Sequence, residues 1–262
     1  MKKISFITFK KKKLLYAVGI LVAVGVVARF APPFSQSVFG LHIAQAERKL
    51  PIYCVDTPEK KVAISFDAAW GADDTDELLR ILKENDVKTT FFMCGYWVDD
   101  YPEEVKKIAE DGHDLGNHSA THPHMSQLNK EQIKTELDTA HQKVKDLTGT
   151  DMELFRPPFG EYDNSVIEAA KECGYHTVQW DVDSLDWKEK GENQEINQVL
   201  NHKHLGNGSI ILFHNDAKYT PLVLDTIIKG LKEKGYEIVP ISELILQCDY
   251  DMDHEGRQKA KE

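Results

Sequence analysis

Cysteine is scarce in these 262 residues. Only Cys54, Cys94, Cys173 and Cys248 occur, and none stands in a CxxC pair, which excludes a zinc ribbon and a thioredoxin-type motif. Acidic side chains are missing from the start of the chain. Residues 1–50 hold nine bases and one acid, Glu47, a net of +8, leaving 23 bases and 42 acids, a net of −19, for residues 51–262. A body with so few compensating bases repels phosphates, so nucleic acid is excluded as a partner. No internal repeat is present. A content of 41% hydrophobic and 29% charged residues excludes a disordered, collagen-like or polytopic membrane protein. The length suits one large α/β domain or two small ones.

Long apolar runs are also lacking, with one exception. Lys2, Lys3 and Lys10 to Lys13 precede the uncharged stretch Leu14 to Ala28, and apolar character resumes beyond Arg29 through Phe34. Uninterrupted, the run is shorter than the ~20 residues that span a bilayer, but Arg29 could snorkel to the far interface. Basic residues retain the N-terminal side in the cytoplasm, so the acidic body is exported. Ala44-Gln45-Ala46 resembles a cleavage site but lies farther from the apolar run than signal peptidase usually works. Residues 1–35 are therefore expected to be a basic stub and a single-pass signal anchor, with the body extracellular. A cleaved, secreted form is the alternative. Residues 36–58 read as a linker. Export permits disulfides, and Cys54 with Cys248 could staple the two ends of the folded region. Cys94 and Cys173 read as buried small hydrophobes.

From Lys61 strand and helix patterns alternate. The β-rich runs are 62–66, 89–93, 113–117, 153–155, 177–180, 210–213 and 237–239, and helical periodicity fills 74–85, 102–111, 129–147, 163–173, 193–204 and 221–234. Asn129 and Asp163 are credible N-caps, and Gly149, Gly174 and Gly235 follow helix-like runs. Seven strands alternating with helices predict an α/β domain over residues 59–248 with a parallel sheet, open or closed into a barrel. Residues 249–262, charged and aperiodic, are expected to be disordered.

Polar residues collect where the strands end. Asp67, His118, Arg156 and His214 each follow an apolar run, and Asp181, Asp183 and Asp186 follow the fifth. In parallel α/β folds this edge gathers binding and catalytic groups, so five of seven strands ending this way imply one cleft. His118-Ser-Ala-Thr-His122 sets two imidazoles four apart, which on a helical turn would share a face suited to a divalent metal. Arg156, held by Pro157 and Pro158, can keep Asp67 ionised. Asp186 can orient and charge His214.

In order, Ser65-Phe-Asp67, His118-Ser-Ala-Thr-His122, Arg156-Pro-Pro-Phe-Gly160, Asp183-Ser-Leu-Asp186-Trp187 and Leu212-Phe-His214 resemble the five motifs of the polysaccharide deacetylases, carbohydrate esterase family 4 or the NodB-homology domain. The likeness runs from about Lys61 to Ile245. Phe66-Asp-Ala-Ala-Trp-Gly71 is similar to the spore-forming Firmicutes branch, whose membrane-anchored members act in sporulation. For the fold, the resemblance implies a distorted (β/α) barrel with about seven parallel strands, here preceded by an N-terminal transmembrane segment. For the site, it implies Asp67 as general base tethered by Arg156, and His214 as general acid positioned by Asp186. His118 and His122 would bind a divalent metal, Zn2+ or alternatively Co2+. Leu212 and Trp187 would line the acetyl pocket, and the Phe159 N–H would hold the oxyanion. The implied reaction removes N-acetyl groups from a cell-wall or related polysaccharide.

One departure matters. The family usually carries a second Asp after the base as third metal ligand, and here that position is Ala68. Asp73 or Asp74 could substitute, Asp74 being preferred, unless both cap the following helix. The competing reading is a catalytically impaired glycan-binding wall protein. Either way the expected partner is an N-acetylated, uncharged glycan met by a monomer through aromatics such as Trp70, Trp97 and Trp187, unless these pack in the core, the reading preferred for Trp180.

Overall fold

A computed structural model describes residues 47–261. The basic stub, the apolar run and Ala44-Gln45-Ala46 lie outside the described residues. Within them no helix is long and apolar enough to cross a membrane.

The strands in chain order are β1 (Cys54–Val55), β2 (Lys61–Ala68), β3 (Thr90–Met93), β4 (Asp114–Asn117), β5 (Leu154–Phe155), β6 (His176–Thr177), β7 (Val182–Asp183), β8 (Ile210–His214), β9 (Glu237–Ile238), β10 (Tyr250–Met252) and β11 (Arg257–Ala260). Seven form one sheet in the order β6-β5-β4-β3-β2-β8-β7, and β9 pairs with the start of β2. Every pairing in it is parallel. Helices cross between the strands, at Thr75–Glu84, Pro102–Glu110, Lys130–Thr148, Asn164–Glu172, Glu192–Leu200 and Thr220–Glu233. These are the six expected from periodicity. Short helices at Gly95–Asp100 and Ile241–Leu244 were not anticipated, being too brief to show a period. The N-caps hold: Asn129 forms a reciprocal capping box with Gln132, and Asp163 Oδ1 accepts from Val166 N.

The fifth predicted strand, 177–180, is corrected. β6 ends at Thr177, and the chain reappears as β7 on the opposite edge of the sheet. Five residue steps reach at most about 18 Å, so the sheet must curl until its two edges nearly meet. Ile52 bridges Val178 there and Cys54 bridges Ser209, which makes the first described residues part of the wall.

Strand alternation sorts the side chains into two layers. Val62, Ile64, Phe66, Ala68, Phe91, Met93, Ile211 and Phe213 belong to the larger core shared with the helices. Ala63, Phe92 and Ile210 join Ile52, Val178, Val239 and Ile241 in a smaller core. By the same alternation Asp67 shares the face of Ala63 and Ser65, while Leu212 and His214 share that of Ile210. The smaller core therefore stops below the polar ends of β2 and β8, and a cleft begins above it.

Three expectations about the chain's ends are overturned. Residues 36–58 are not all linker, because β1 lies within them. The tail is not disordered: β11 pairs with both β1 and β10. Gln258, fully buried, accepts from Leu246 N at 2.7 Å and donates to Leu246 O at 3.0 Å. A strand anchored by a buried glutamine rather than by apolar alternation leaves no periodic signal. Cys54 and Cys248 are free thiols, one buried and one exposed, so no bridge staples the ends.

Candidate active site

Register brings the two proton-handling residues together. Asp67 and His214 are paired positions of β2 and β8, and Asp67 is paired with Phe92 on the other side. The Asp67 carboxylate is buried, and its Oδ1 accepts from Arg156 Nη1 at 2.7 Å. Arg156 is itself fully buried. Its Nη2 donates to Ser65 Oγ at 2.9 Å and Gln179 O at 3.2 Å, and its guanidinium lies 4.1 Å from the Phe92 ring centre. Burial alone would raise the Asp67 carboxyl, but Arg156, then His118 and His214, outweigh it and hold it below the usual range.

His214 is displaced the other way. Burial disfavours its charge, but the hydrogen bond and charge of Asp186, then Asp67 and Asp183, raise it above an ordinary histidine. Asp186 Oδ1 takes His214 Nδ1–H at 2.8 Å and the Trp187 N–H at 2.7 Å. Asp186 Oδ2 takes the His214 N–H at 2.6 Å. Behind Asp186, the Thr220 hydroxyl lies 3.3 Å from its Oδ2 and donates to Glu195 Oε1 at 2.9 Å. Glu195 is buried, and burial pushes its carboxyl up to about 7.

The imidazole pair sits on a loop, not on a helical turn as its spacing suggested. Ser119 (φ 67°) and His122 (φ 55°) adopt left-handed backbone, which costs about 1–2 kcal/mol per residue. Side chains hold this shape: Asn117 Oδ1 accepts from Ser119 N at 2.8 Å, Ser119 Oγ from His122 N at 3.0 Å and Glu136 Oε2 from Thr121 N at 2.8 Å. The two rings come to 5.0 Å between centres. His118 Nδ1 must donate to the Arg156 carbonyl, 2.7 Å away, so its Nε2 carries the lone pair; that atom is 3.6 Å from Asp67 Oδ2. Burial lowers both imidazoles, His122 to about 4, so both remain neutral and able to ligate. Cys94 Sγ and ring nitrogens of His118 and His122 all lie within 4.8 Å of one another.

The cleft has a volume of about 430 Å³. Asp67, His118, His122 and His214 lie around its polar side, with Leu212 and Asp183 at its wall. Trp70, Phe159 and Trp187 form its rim, each more than half exposed. Gly71, at φ 53°, anchors the Trp70 loop: its carbonyl accepts from Trp97 Nε1 at 2.6 Å and Asn215 Nδ2 at 2.7 Å.

Three sequence assignments change. Asp74 does not join the imidazoles; its Oδ1 accepts from Asp216 N at 2.9 Å, and burial raises it to about 6. It is the N-cap residue of helix Thr75–Glu84, the alternative foreseen for it, although its side chain makes no capping bond. Of the two readings open for Trp97, core packing holds and glycan platform does not, at 1% exposure. Trp180, assigned to packing, lines the cleft and lies 5.5 Å from the Arg156 guanidinium. Cys94 carried no polar signal, and only the placement of β3 beside β4 brings it to the imidazoles.

Comparison with known proteins agrees with this geometry. The polysaccharide deacetylase profile matches residues 55–178. Peptidoglycan-N-acetylmuramic acid deacetylase PdaA of Bacillus subtilis (strain 168) is 34% identical over 199 residues, 74% of this chain and 75% of that one. The chain belongs to the polysaccharide deacetylase family. The uncharacterized protein YlxY of the same strain is 35% identical over 212 residues. That match covers 81% of this deacetylase-family chain and 65% of YlxY, just under two thirds of its length. Among solved structures, a Bacillus anthracis protein described as a CE4 family pseudoenzyme superposes with a TM-score of 0.72 at 34% identity, covering 74% of this chain and 68% of that one. A mutant of that protein, described as having restored enzymatic activity, gives 0.71 at 35%, covering 74% and 71%.

Proposed function

We propose that the protein is a metal-dependent hydrolase that removes N-acetyl groups from an amino sugar of a cell-wall glycan. One arrangement carries the reading. Two registered residues with opposite proton preferences, Asp67 and His214, face a single cleft beside two neutral imidazoles. A carboxylate whose ionised form is favoured next to an imidazole whose protonated form is favoured is a base–acid pair for splitting an amide.

His118 and His122 would hold the cation, and their lone pairs, fixed by neutral protonation and the His118–Arg156 bond, suit Zn2+ or Co2+. When bound, a divalent cation supplies a Lewis acid for the acetamido carbonyl and acidifies a water. The rest belongs to the chain. Arg156 occupies Asp67 Oδ1, leaving Oδ2 to take the proton from the attacking water. The Phe159 N–H is assigned to the charge that develops on the carbonyl oxygen. His214, its Nδ1–H committed to Asp186, gives its other ring proton to the departing nitrogen as the C–N bond breaks. Acetate and a free amino sugar result. Leu212 and Trp187 suit the acetyl methyl, and Trp70 offers a flat face to a pyranose. The −19 body would be exported and anchored by the N-terminal segment, favouring neutral glycan over polyanions.

A second reading, glycan binding without turnover, is favoured by Ala68, whose methyl is buried and cannot coordinate, and by the likeness to a pseudoenzyme. The test is acetate release from N-acetylated wall oligosaccharides with added Zn2+ or Co2+. Release abolished by Asp67→Asn supports hydrolysis; retained sugar binding with no acetate under either metal supports the second reading.

A further inference from the structure

We propose that Cys94 supplies the third protein ligand of the metal site, in place of the carboxylate missing at Ala68. This deepens the metal-dependent reading above and rests on it. Ala68 and Met93 are paired positions of β2 and β3, and Cys94, the next residue, donates its N–H to Ala68 O at 3.0 Å. The thiol thus emerges one strand over from the position that lost its donor. It is fully buried, its Sγ lies 3.4 Å from the His118 carbonyl oxygen, and it lies within 4.8 Å of both imidazole nitrogens. Asp74, the carboxylate expected from the sequence to substitute, is engaged with Asp216 instead.

A sulfur and two imidazoles make a three-donor set that leaves a tetrahedral cation one open position. The set selects by softness. Thiolate and imidazole suit Zn2+ and Co2+, whereas Mg2+ and Mn2+ favour oxygen donors. Ligation forms an S–metal bond and breaks the S–H bond, the proton passing to solvent, so the cation's charge of two is partly neutralised. Alanine in place of a carboxylate at position 68 therefore shifts the site's metal preference without emptying it.

The test reads the metal and not turnover. The full chain is titrated with Co2+ alone, and its absorption is followed for thiolate-to-cobalt charge transfer in the near ultraviolet. The band is expected in the wild type and in Cys248→Ser, which removes the exposed thiol, and is expected to vanish in Cys94→Ala. Zn2+ affinity in Cys94→Ala is expected to fall by more than the roughly 10–100-fold that loss of a second-shell partner costs. Zinc-edge X-ray absorption of the wild type should find one sulfur at about 2.3 Å and nitrogens at about 2.0–2.1 Å, which stands even if the alanine variant misfolds. Co2+ bound without charge transfer, or unchanged Zn2+ affinity in a folded Cys94→Ala, overturns the assignment. A charge-transfer band without acetate release refutes the hydrolase and leaves the ligand standing; acetate release with nitrogen and oxygen ligation alone does the reverse.

Discussion

Removing the Arg156 guanidinium while retaining its bulk, as in Arg156→Met, isolates the charge on which the Asp67 carboxylate depends. Both partners are buried, at 0% and 5% exposure, with 2.7 Å between Nη1 and Oδ1. Breaking such a pair from one side leaves an uncompensated buried charge and costs about 3–5 kcal/mol. The donors to Ser65 Oγ and Gln179 O are lost with it. The pH dependence has a definite sign. In the folded, metal-free wild type the carboxyl lies below its ordinary value. The pair's stabilisation is therefore complete above the unfolded value of about 4 and is lost as pH falls through the folded one. In the variant only His118 and His214 still oppose burial, the carboxyl rises, and the penalty is greatest where it must ionise. Urea denaturation of the chelated protein should show the full loss at about pH 7 and a smaller one at about pH 5. Adding Asp67→Asn to the variant should restore part of the stability, with a coupling of about 2 kcal/mol or more. A loss under about 1 kcal/mol, as exposed pairs show, or one that does not change with pH, would refute the account of this pair.

Two further outcomes concern the carboxyl groups behind His214. Asp186→Asn removes the carboxylate that raises it, so kcat should fall about 10²–10⁴-fold and the alkaline limb of the pH profile should move to lower pH; an unmoved limb would separate His214 from that limb. Glu195→Gln should leave stability nearly unchanged in acid and raise it above neutrality. The folded Glu195 carboxyl is raised to about 7, so native stability declines as pH climbs from its unfolded value, about 4.3, to that point. Thermal midpoints across that window decide it, and a variant less stable at alkaline pH would mean that the Thr220 bond outweighs the burial of charge.

Much of the architecture was legible because it rests on local periodicity. Six helices were placed within a few residues, and seven runs of apolar β-formers were placed where strands or their continuations lie, because each amphipathic face is written in successive residues. The short helices, the β6–β7 crossing and the strands after Tyr250 were not, because their stabilisation comes from distant partners: Ile52 against Val178, Gln258 against Leu246. The site divided in the same way. Asp67, Arg156, Asp186 and His214 were recognisable from motif order, while the roles of Asp74, Trp97 and Trp180 depended on which way each side chain turned.

The sequence by itself determined that ionisable groups follow the apolar runs, which in a parallel α/β fold sets them toward the C-terminal ends of the strands. It thereby determined that a carboxylate, an arginine and three imidazoles gather at one rim. Tertiary structure alone decided how those groups act on one another. The β2–β8 register set Asp67 beside His214, the left-handed backbone at Ser119 and His122 turned two rings toward each other, and the β2–β3 pairing brought the Cys94 thiol close to both. Charge, proton affinity and ligation depend on separations of a few ångströms between residues far apart in the chain, and only folding sets those.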